Sequence, residues 1–81
     1  MDELEKLRTR IDQIDETLMD LLEQRFALSE EVGQLKKKSK LAVTHTSREQ
    51  TILGKASHLT HKDAIQSIYK TIFTHSKAIQ K

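Results

Sequence analysis

Apolar residues recur along the first half of the chain at alternating spacings of three and four. This spacing is typical of a helix that packs along most of its length against other helices. The pattern therefore predicts one unbroken amphipathic helix over residues 4–36. Its apolar stripe consists of Leu4, Leu7, Ile11, Ile14, Leu18, Leu21, Leu28, Val32 and Leu35.

The length of this helix predicts an assembly. Its 33 residues span roughly 50 Å, whereas a compact domain of 81 residues has a radius of gyration of about 12 Å. The rest of the chain forms at most two shorter helices, which cannot cover such a rod. We therefore expect the stripe to close against a second copy, in an obligate helical dimer.

The remaining sequence predicts a loop and two more helices. Residues 39–45 lose the helical pattern. Thr46 and Glu49 then match a capping box that opens a short helix reaching about residue 57. A cap within residues 60–63 opens a third helix. The apolar faces of these two helices are Ile52, Leu53 and Ala56, and Ile65, Ile68, Tyr69, Ile72, Phe73, Ser76 and Ile79.

The expected fold is therefore all-α, with one very long, one short and one medium helix in a single domain over residues 1–81. No strand-like alternation is present, and the absence of Pro with only two Gly favours long helices. The charged N-terminus lacks an apolar signal region, and no apolar run approaches the length of a membrane span. We therefore expect a cytoplasmic protein that does not enter a membrane.

Cysteine and charge narrow the possible functions. Without Cys, the chain has no disulfide, no thiolate metal site and no cysteine nucleophile. The net charge is only +2, yet residues 1–31 hold ten acids against four bases, and the rest holds two acids against ten bases. The basic half, which includes residues 36–40, suits either an anionic small molecule or nucleic acid.

Arg25 occupies a step of the apolar stripe where the pattern calls for Leu or Ile. An unpaired buried charge is costly, so this cation must find an anionic partner or displace the stripe. Lys36 lies within about 20° of the same face and roughly 16 Å along the axis, so both side chains can reach one small anion. The alternative is that Arg25 pairs with an acid across a helix interface and Lys36 caps the helix C-terminus.

Arg8 lies about 25 Å before Arg25 on a different face of the helix. Within one chain, no small ligand could touch both. In an antiparallel dimer, the partner's Arg8 would reach the site around Arg25; alone, Arg8 is a solvated surface charge.

Three polar residues of the later helices also have simple structural interpretations. Glu49 completes the capping box, Ser76 on a packed face commonly bonds back to a backbone carbonyl, and Gln80 lies at a chain end where a helix frays. The four His form no metal-ligand set, and no nucleophilic triad, phosphate loop or carboxylate pair is visible. We therefore expect no cofactor and no metal.

Several segments together resemble one enzyme family. They are residues 7–15 (LRTRIDQID), 21–28 (LLEQRFAL), 31–36 (EVGQLK), 47–49 (SRE) and 76–80 (SKAIQ). With these segments the chain is similar to the all-helical class of chorismate mutase, through nearly its whole length. The L-R-x-x-I-D-x-I-D opening, with Arg25 and V-G-x-x-K at matching distances, is the most specific part of the resemblance. The chain departs from the family pattern at two places. His45 stands where that family often has an acidic residue, and the segment between Glu49 and Ser76 is shorter than expected for the family.

The resemblance implies three-helix chains in an intertwined dimer with two equivalent active sites. It also implies a cofactor-free Claisen rearrangement of chorismate to prephenate, in aromatic amino-acid biosynthesis. Such a rearrangement needs no nucleophile and no proton transfer, so the absence of a triad, Cys or metal site does not argue against an enzyme.

The resemblance further implies three catalytic residues. Lys36 and Gln80 would donate hydrogen bonds to the ether oxygen of the breaking bond, and Glu49 would accept one from the ring hydroxyl. Negative charge develops on that oxygen as the bond lengthens. By analogy with oxyanion holes, one preformed donor is worth roughly 3–4 kcal/mol.

Substrate binding is implied for four more residues. Arg25 and the partner's Arg8 would each hold one substrate carboxylate. Arg48 and Ser76 would line the pocket and assist with the hydroxyl and a carboxylate respectively. Together these contacts would confine a flexible dianion to its reactive, chair-like shape.

Three alternatives stay open. An isochorismate pyruvate-lyase on the same scaffold would use similar cations but eliminate pyruvate. A non-catalytic dimer could bind nucleic acid through residues 36–40, although the chain has few aromatic residues and no helix-turn-helix or basic zipper. A coiled-coil adaptor would leave Arg25 as an unexplained defect. We favour the mutase, with chorismate as its partner and no nucleic acid.

Overall fold

The structure, a computed structural model, describes residues 2–39 and 46–81. In chain order they form α1 (Glu3–Ser39), α2 (Thr46–Gly54) and α3 (Lys62–Gln80). No strand occurs in these two ranges, so the predicted all-α class is confirmed. Most of the predicted loop, His45 included, lies outside the described residues, and no helix among those described is long and apolar enough to cross a membrane.

Helix α1 extends slightly beyond the predicted range at both ends. Asp2 precedes it and accepts a hydrogen bond on Oδ1 from the Glu5 backbone N–H, at 2.8 Å. Such a side chain satisfies one of the unpaired donors at a helix N-terminus. Acids in the first turn and lysines in the last turn also suit the helix dipole. The molecule measures 56 × 25 × 14 Å, with a radius of gyration of 16.1 Å, so the predicted rod is confirmed.

Helix α2 is shorter than predicted and ends at Gly54. Beyond it the backbone continues in tighter turns, in which the N–H groups of Lys55, Ala56, Ser57 and Leu59 each bond to the carbonyl three residues earlier. Such bonds are typical of a frayed helix end, which an apolar pattern cannot distinguish from regular helix. The N-cap of α3 is His61, inside the predicted range, but its side chain makes no capping bond.

The core of one chain is small. Among the described residues, Ala56, Ile72 and Phe73 are the buried apolar ones, and Ser29 and Ser76 are buried as well. Helix α3 packs against the C-terminal half of α1, and α2 packs on α3. Two residues of the predicted α3 stripe, Ile68 and Ile79, remain exposed, because neither α1 nor α2 covers them.

Gly33 sets the spacing between α1 and α3. A Cβ at this position would lie 2.6 Å from both the Cα and the carbonyl O of Gln80, far inside van der Waals contact. Only glycine allows the two backbones to approach so closely. The close approach brings the end of α3 beside the last turns of α1.

A methyl group at Gly33 is therefore expected to destabilise the fold. We expect Gly33→Ala to lower the free energy of unfolding by about 1–3 kcal/mol, because a backbone contact must open. Gly54→Ala is the matched control, since a Cβ there meets nothing within 4 Å. Urea unfolding at one fixed protein concentration measures both. Equal stability of the two variants would show that the helices separate without cost.

Candidate active site

A cavity of about 490 Å³ lies between the three helices. Its volume falls in the range of sites that enclose small molecules, about 300–1,000 Å³. Leu28, Val32, Ile52 and Phe73 form much of its apolar wall. Six of the seven predicted site residues line it: Arg25, Lys36, Arg48, Glu49, Ser76 and Gln80.

Arg25 reaches this cavity from α1 and is held in place by α3. Its Nη1 donates to the Ser76 hydroxyl at 2.8 Å, and its Cζ lies 5.9 Å and 5.8 Å from the ring centroids of Tyr69 and Phe73. These contacts fix the guanidinium within a half-buried setting. In the described ranges Arg25 forms no ion pair, so the anionic partner expected for it is not supplied there.

Ser76 differs from its simplest interpretation. Its hydroxyl accepts the bond from Arg25 and is buried. Back-bonding to a carbonyl occurs instead at Ser29, whose Oγ donates to the Arg25 backbone O at 3.1 Å. Ser76, the polar residue that interrupts the apolar stripe of α3, therefore orients the Arg25 side chain of α1.

Lys36 and Gln80 meet at one end of the cavity. The Lys36 Nζ donates to the Gln80 Oε1 at 3.2 Å, which leaves the amide N–H₂ of Gln80 as a further donor. Gln80 is the last residue of α3, yet it is half-buried and packed on Gly33. It is therefore not a frayed end. Lys36 and Arg25 line the same cavity, which is one of the two arrangements that their spacing allowed.

Glu49 pairs with Lys77, a residue that was not among the predicted site residues. Its Oε2 lies 3.0 Å from the Nζ of Lys77, and both side chains are partly buried, at 25% and 33% exposure. The Glu49 carboxylate therefore contacts α3, whereas the capping-box interpretation directed it to the Thr46 backbone at the start of α2. Lys77 lies between two predicted site residues, Ser76 and Gln80, on α3. This position is the one feature of the sequence that could have pointed to Lys77.

Two predicted arginines have different surroundings. Arg48 lines the cavity but is exposed to solvent. Arg8 lies outside the cavity, is exposed, and its Nη1 lies 3.2 Å from Glu5 Oε1, one turn earlier on α1. The structure therefore does not bring Arg8 to this cavity within one chain.

Charge is strongly unbalanced in the cavity. Among the described residues that line it, four carry a positive charge, namely Arg25, Lys36, Arg48 and Lys77, and one, Glu49, carries a negative charge. A concave site with an excess of one charge concentrates ligands of the opposite sign. The described residues contain no group of three or more His, Asp or Glu placed to hold a metal ion. The arrangement suits a small organic anion with more than one negative group.

The fold and this cavity define a class, an all-helical domain with a cationic cavity between its helices. A family model described as chorismate mutase type II matches residues 7–81. The chain belongs to this family, and that membership indicates an enzyme, an isomerase.

Individual relatives agree with the family assignment. The bifunctional chorismate mutase/prephenate dehydratase of Aquifex aeolicus is 32% identical over all of this chain, which spans 25% of that protein's length. The chorismate mutase of Methanocaldococcus jannaschii is 24% identical, with all of this chain and 87% of the relative covered. A solved structure, a conserved hypothetical protein from Pyrococcus furiosus, is similar to this chain with a TM-score of 0.87 and 28% sequence identity. The alignment covers 100% of this chain and 99% of the Pyrococcus chain.

Proposed function

We propose that this chain is a chorismate mutase, which rearranges chorismate to prephenate in aromatic amino-acid biosynthesis. The observation that best supports the proposal is the convergence of Arg25, Lys36, Glu49, Ser76 and Gln80 on one cavity in a member of this family. These side chains come from three helices, so their meeting depends on the fold and not on sequence proximity.

The reaction explains why such a site is sufficient. In a single step the ether C–O bond of the substrate breaks and a C–C bond forms, with no proton transferred and no electron lost. Catalysis then consists of holding a flexible dianion in its reactive shape and stabilising the developing charge. Arg25, fixed by Ser76 and two aromatic rings, would grip one carboxylate.

The other polar groups would act on the two remaining oxygen sites of the substrate. Lys36 and Gln80, which already contact each other, would donate to the ether oxygen as negative charge develops there. Glu49 would accept a hydrogen bond from the ring hydroxyl. Because the donors are in place before the substrate arrives, little reorganisation is needed at the moment of reaction.

We further propose that the active enzyme is a homodimer with shared sites. Ten apolar residues of α1 are exposed in one chain, at 41–65% of their area: Leu4, Leu7, Ile11, Ile14, Leu18, Met19, Leu21, Leu28, Val32 and Leu35. Monomeric proteins rarely expose so continuous an apolar surface. A second copy running antiparallel would cover it, and the partner's Arg8 would then supply the second carboxylate contact. We place this enzyme in the cytoplasm.

The direct test of the proposed function is incubation of the purified chain with chorismate and with isochorismate, with products identified by NMR. We expect prephenate from chorismate. Release of pyruvate from isochorismate alone would favour the lyase, and no conversion of either would contradict both activities.

The dimer has a separate test. We expect Leu18→Lys to dissociate the protein into 9.4 kDa chains and to abolish turnover, because a cation would be buried in the apolar interface. Glu16→Lys is the control, since it places the same side chain on an exposed, polar position of α1. Light scattering after size exclusion measures the mass. If the Leu18→Lys protein kept the same solution mass as a dimeric wild type, the interface could not include Leu18.

A further inference from the structure

We propose that Lys77 is a positioning residue for Glu49, and this inference rests on the proposed function. Its ammonium would hold the Glu49 carboxylate toward the cavity and offset its charge beside a doubly negative substrate. Nothing in the family resemblance assigned a role to this lysine.

The geometry of the pair differs from that of the other described ion pairs. Lys6 with Glu3 and Arg8 with Glu5 are exposed neighbours one turn apart on α1. The pair of Lys77 and Glu49 instead joins α3 to α2, at 3.0 Å and with both side chains partly buried at the cavity wall. Partial burial reduces screening by solvent and salt, so this pair interacts more strongly than the exposed ones.

Glu49 needs such a partner for an electrostatic reason. An unpaired carboxylate in the cavity would repel both carboxylates of the substrate, although its oxygen is required to accept the ring hydroxyl. It would also be free to swing toward another cation lining the cavity, such as Arg48 or Arg25. A carboxylate has about four lone-pair sites, so an ammonium on Oε2 leaves Oε1 to accept from the substrate. Lys77 therefore lowers the repulsion without occupying the acceptor.

A purely structural role is less well supported. Helix α2 is already tied to α3 by the Gln66 side chain, whose Nε2 donates to the Leu53 carbonyl at 2.8 Å in a partly buried setting. Ile52 and Leu53 of α2 are also half-buried. The ion pair is therefore not the sole attachment of α2, and its position at the cavity points to substrate handling.

The test is a double-mutant cycle on kcat/KM for chorismate. We expect Lys77→Met to lower kcat/KM about tenfold in the wild-type background, and by no more than about twofold when Glu49→Ala is already present, because the lysine acts through the carboxylate. Lys77→Arg, which keeps the pair, should recover most of the loss. Lys70→Met is the control, because it removes an exposed lysine of the same helix outside the cavity.

Thermal unfolding of every variant accompanies the kinetics, and Lys77→Gln replaces Lys77→Met if the latter does not fold. Equal effects of Lys77→Met with and without Glu49 would overturn the proposal, because the lysine would then act independently of the carboxylate. An effect no larger than that of Lys70→Met would also overturn it. If the wild-type protein leaves chorismate unchanged, both the proposed function and this inference are overturned. If the wild type is active and Lys77→Met is equally active, only this inference is overturned.

Discussion

Arg25→Ala is expected to lower kcat/KM for chorismate by roughly three orders of magnitude while the dimer stays intact. A factor of this size corresponds to about 4 kcal/mol of lost transition-state stabilisation. A charge-assisted bond to a carboxylate inside a half-buried site, together with the orientation it imposes, is of that size. Steady-state kinetics and light scattering on the same sample measure both quantities.

Two further variants test whether the effect is specific to Arg25 and whether its positive charge alone is sufficient. Lys6→Ala removes an exposed cation from the same helix and should leave turnover unchanged. Arg25→Lys keeps the charge but loses the planar fork of donors, so we expect an intermediate rate. Near-normal turnover by Arg25→Ala would exclude carboxylate binding at this position and leave Arg25 its contacts with Tyr69 and Phe73.

Mixing two inactive variants, Arg8→Ala and Arg25→Ala, is expected to restore activity. In a twofold symmetric dimer each site takes Arg25 from one chain and Arg8 from the partner. A heterodimer then contains one site with both arginines intact and one site with neither. Random mixing makes about half of the dimers heterodimers, so total activity should reach about a quarter of the wild-type value.

The heterodimer is isolated with a different affinity tag on each chain and assayed beside both parents. Refolding the mixture from denaturant allows exchange between dimers. The control is a mixture of Arg25→Ala with Lys36→Ala, two residues that line the cavity of the same chain. Here each heterodimer site keeps one altered residue, so no activity should return. Failure of verified Arg8→Ala/Arg25→Ala heterodimers to work would contradict the shared site.

Much of the fold could be predicted because it depends on local periodicity. The three-four spacing of apolar residues predicted α1 to within a few residues at each end. Arg25 was noticed because it interrupts that spacing on an otherwise apolar face. Lys36 was singled out by its spacing from Arg25, functional roles for Glu49, Ser76 and Gln80 followed from a resemblance in sequence, and the structure brings all four side chains to one cavity. Their roles in catalysis stay predictions.

What the sequence did not predict depends on contacts between elements. The pair of Lys77 with Glu49 joins residues of different helices, and neither position breaks a pattern. The end of α2 at Gly54 depends on whether the backbone keeps four-residue or three-residue hydrogen bonds, which the same apolar residues allow. The approach of Gly33 to Gln80 is set by tertiary packing, although a glycine inside a helix is a sign of some close contact.

The contact at Gly33 has a consequence for how this enzyme tolerates sequence change. Because the α1 backbone at Gly33 lies directly against the backbone of Gln80, the main chain sets the distance between the two helices from which Lys36 and Gln80 extend. Substitutions of exposed residues of α3 leave this distance unchanged, whereas a methyl group added at Gly33 would force one helix to shift. Variation among working versions of this sequence should therefore accumulate on the outer face of α3, with Gly33 held nearly constant.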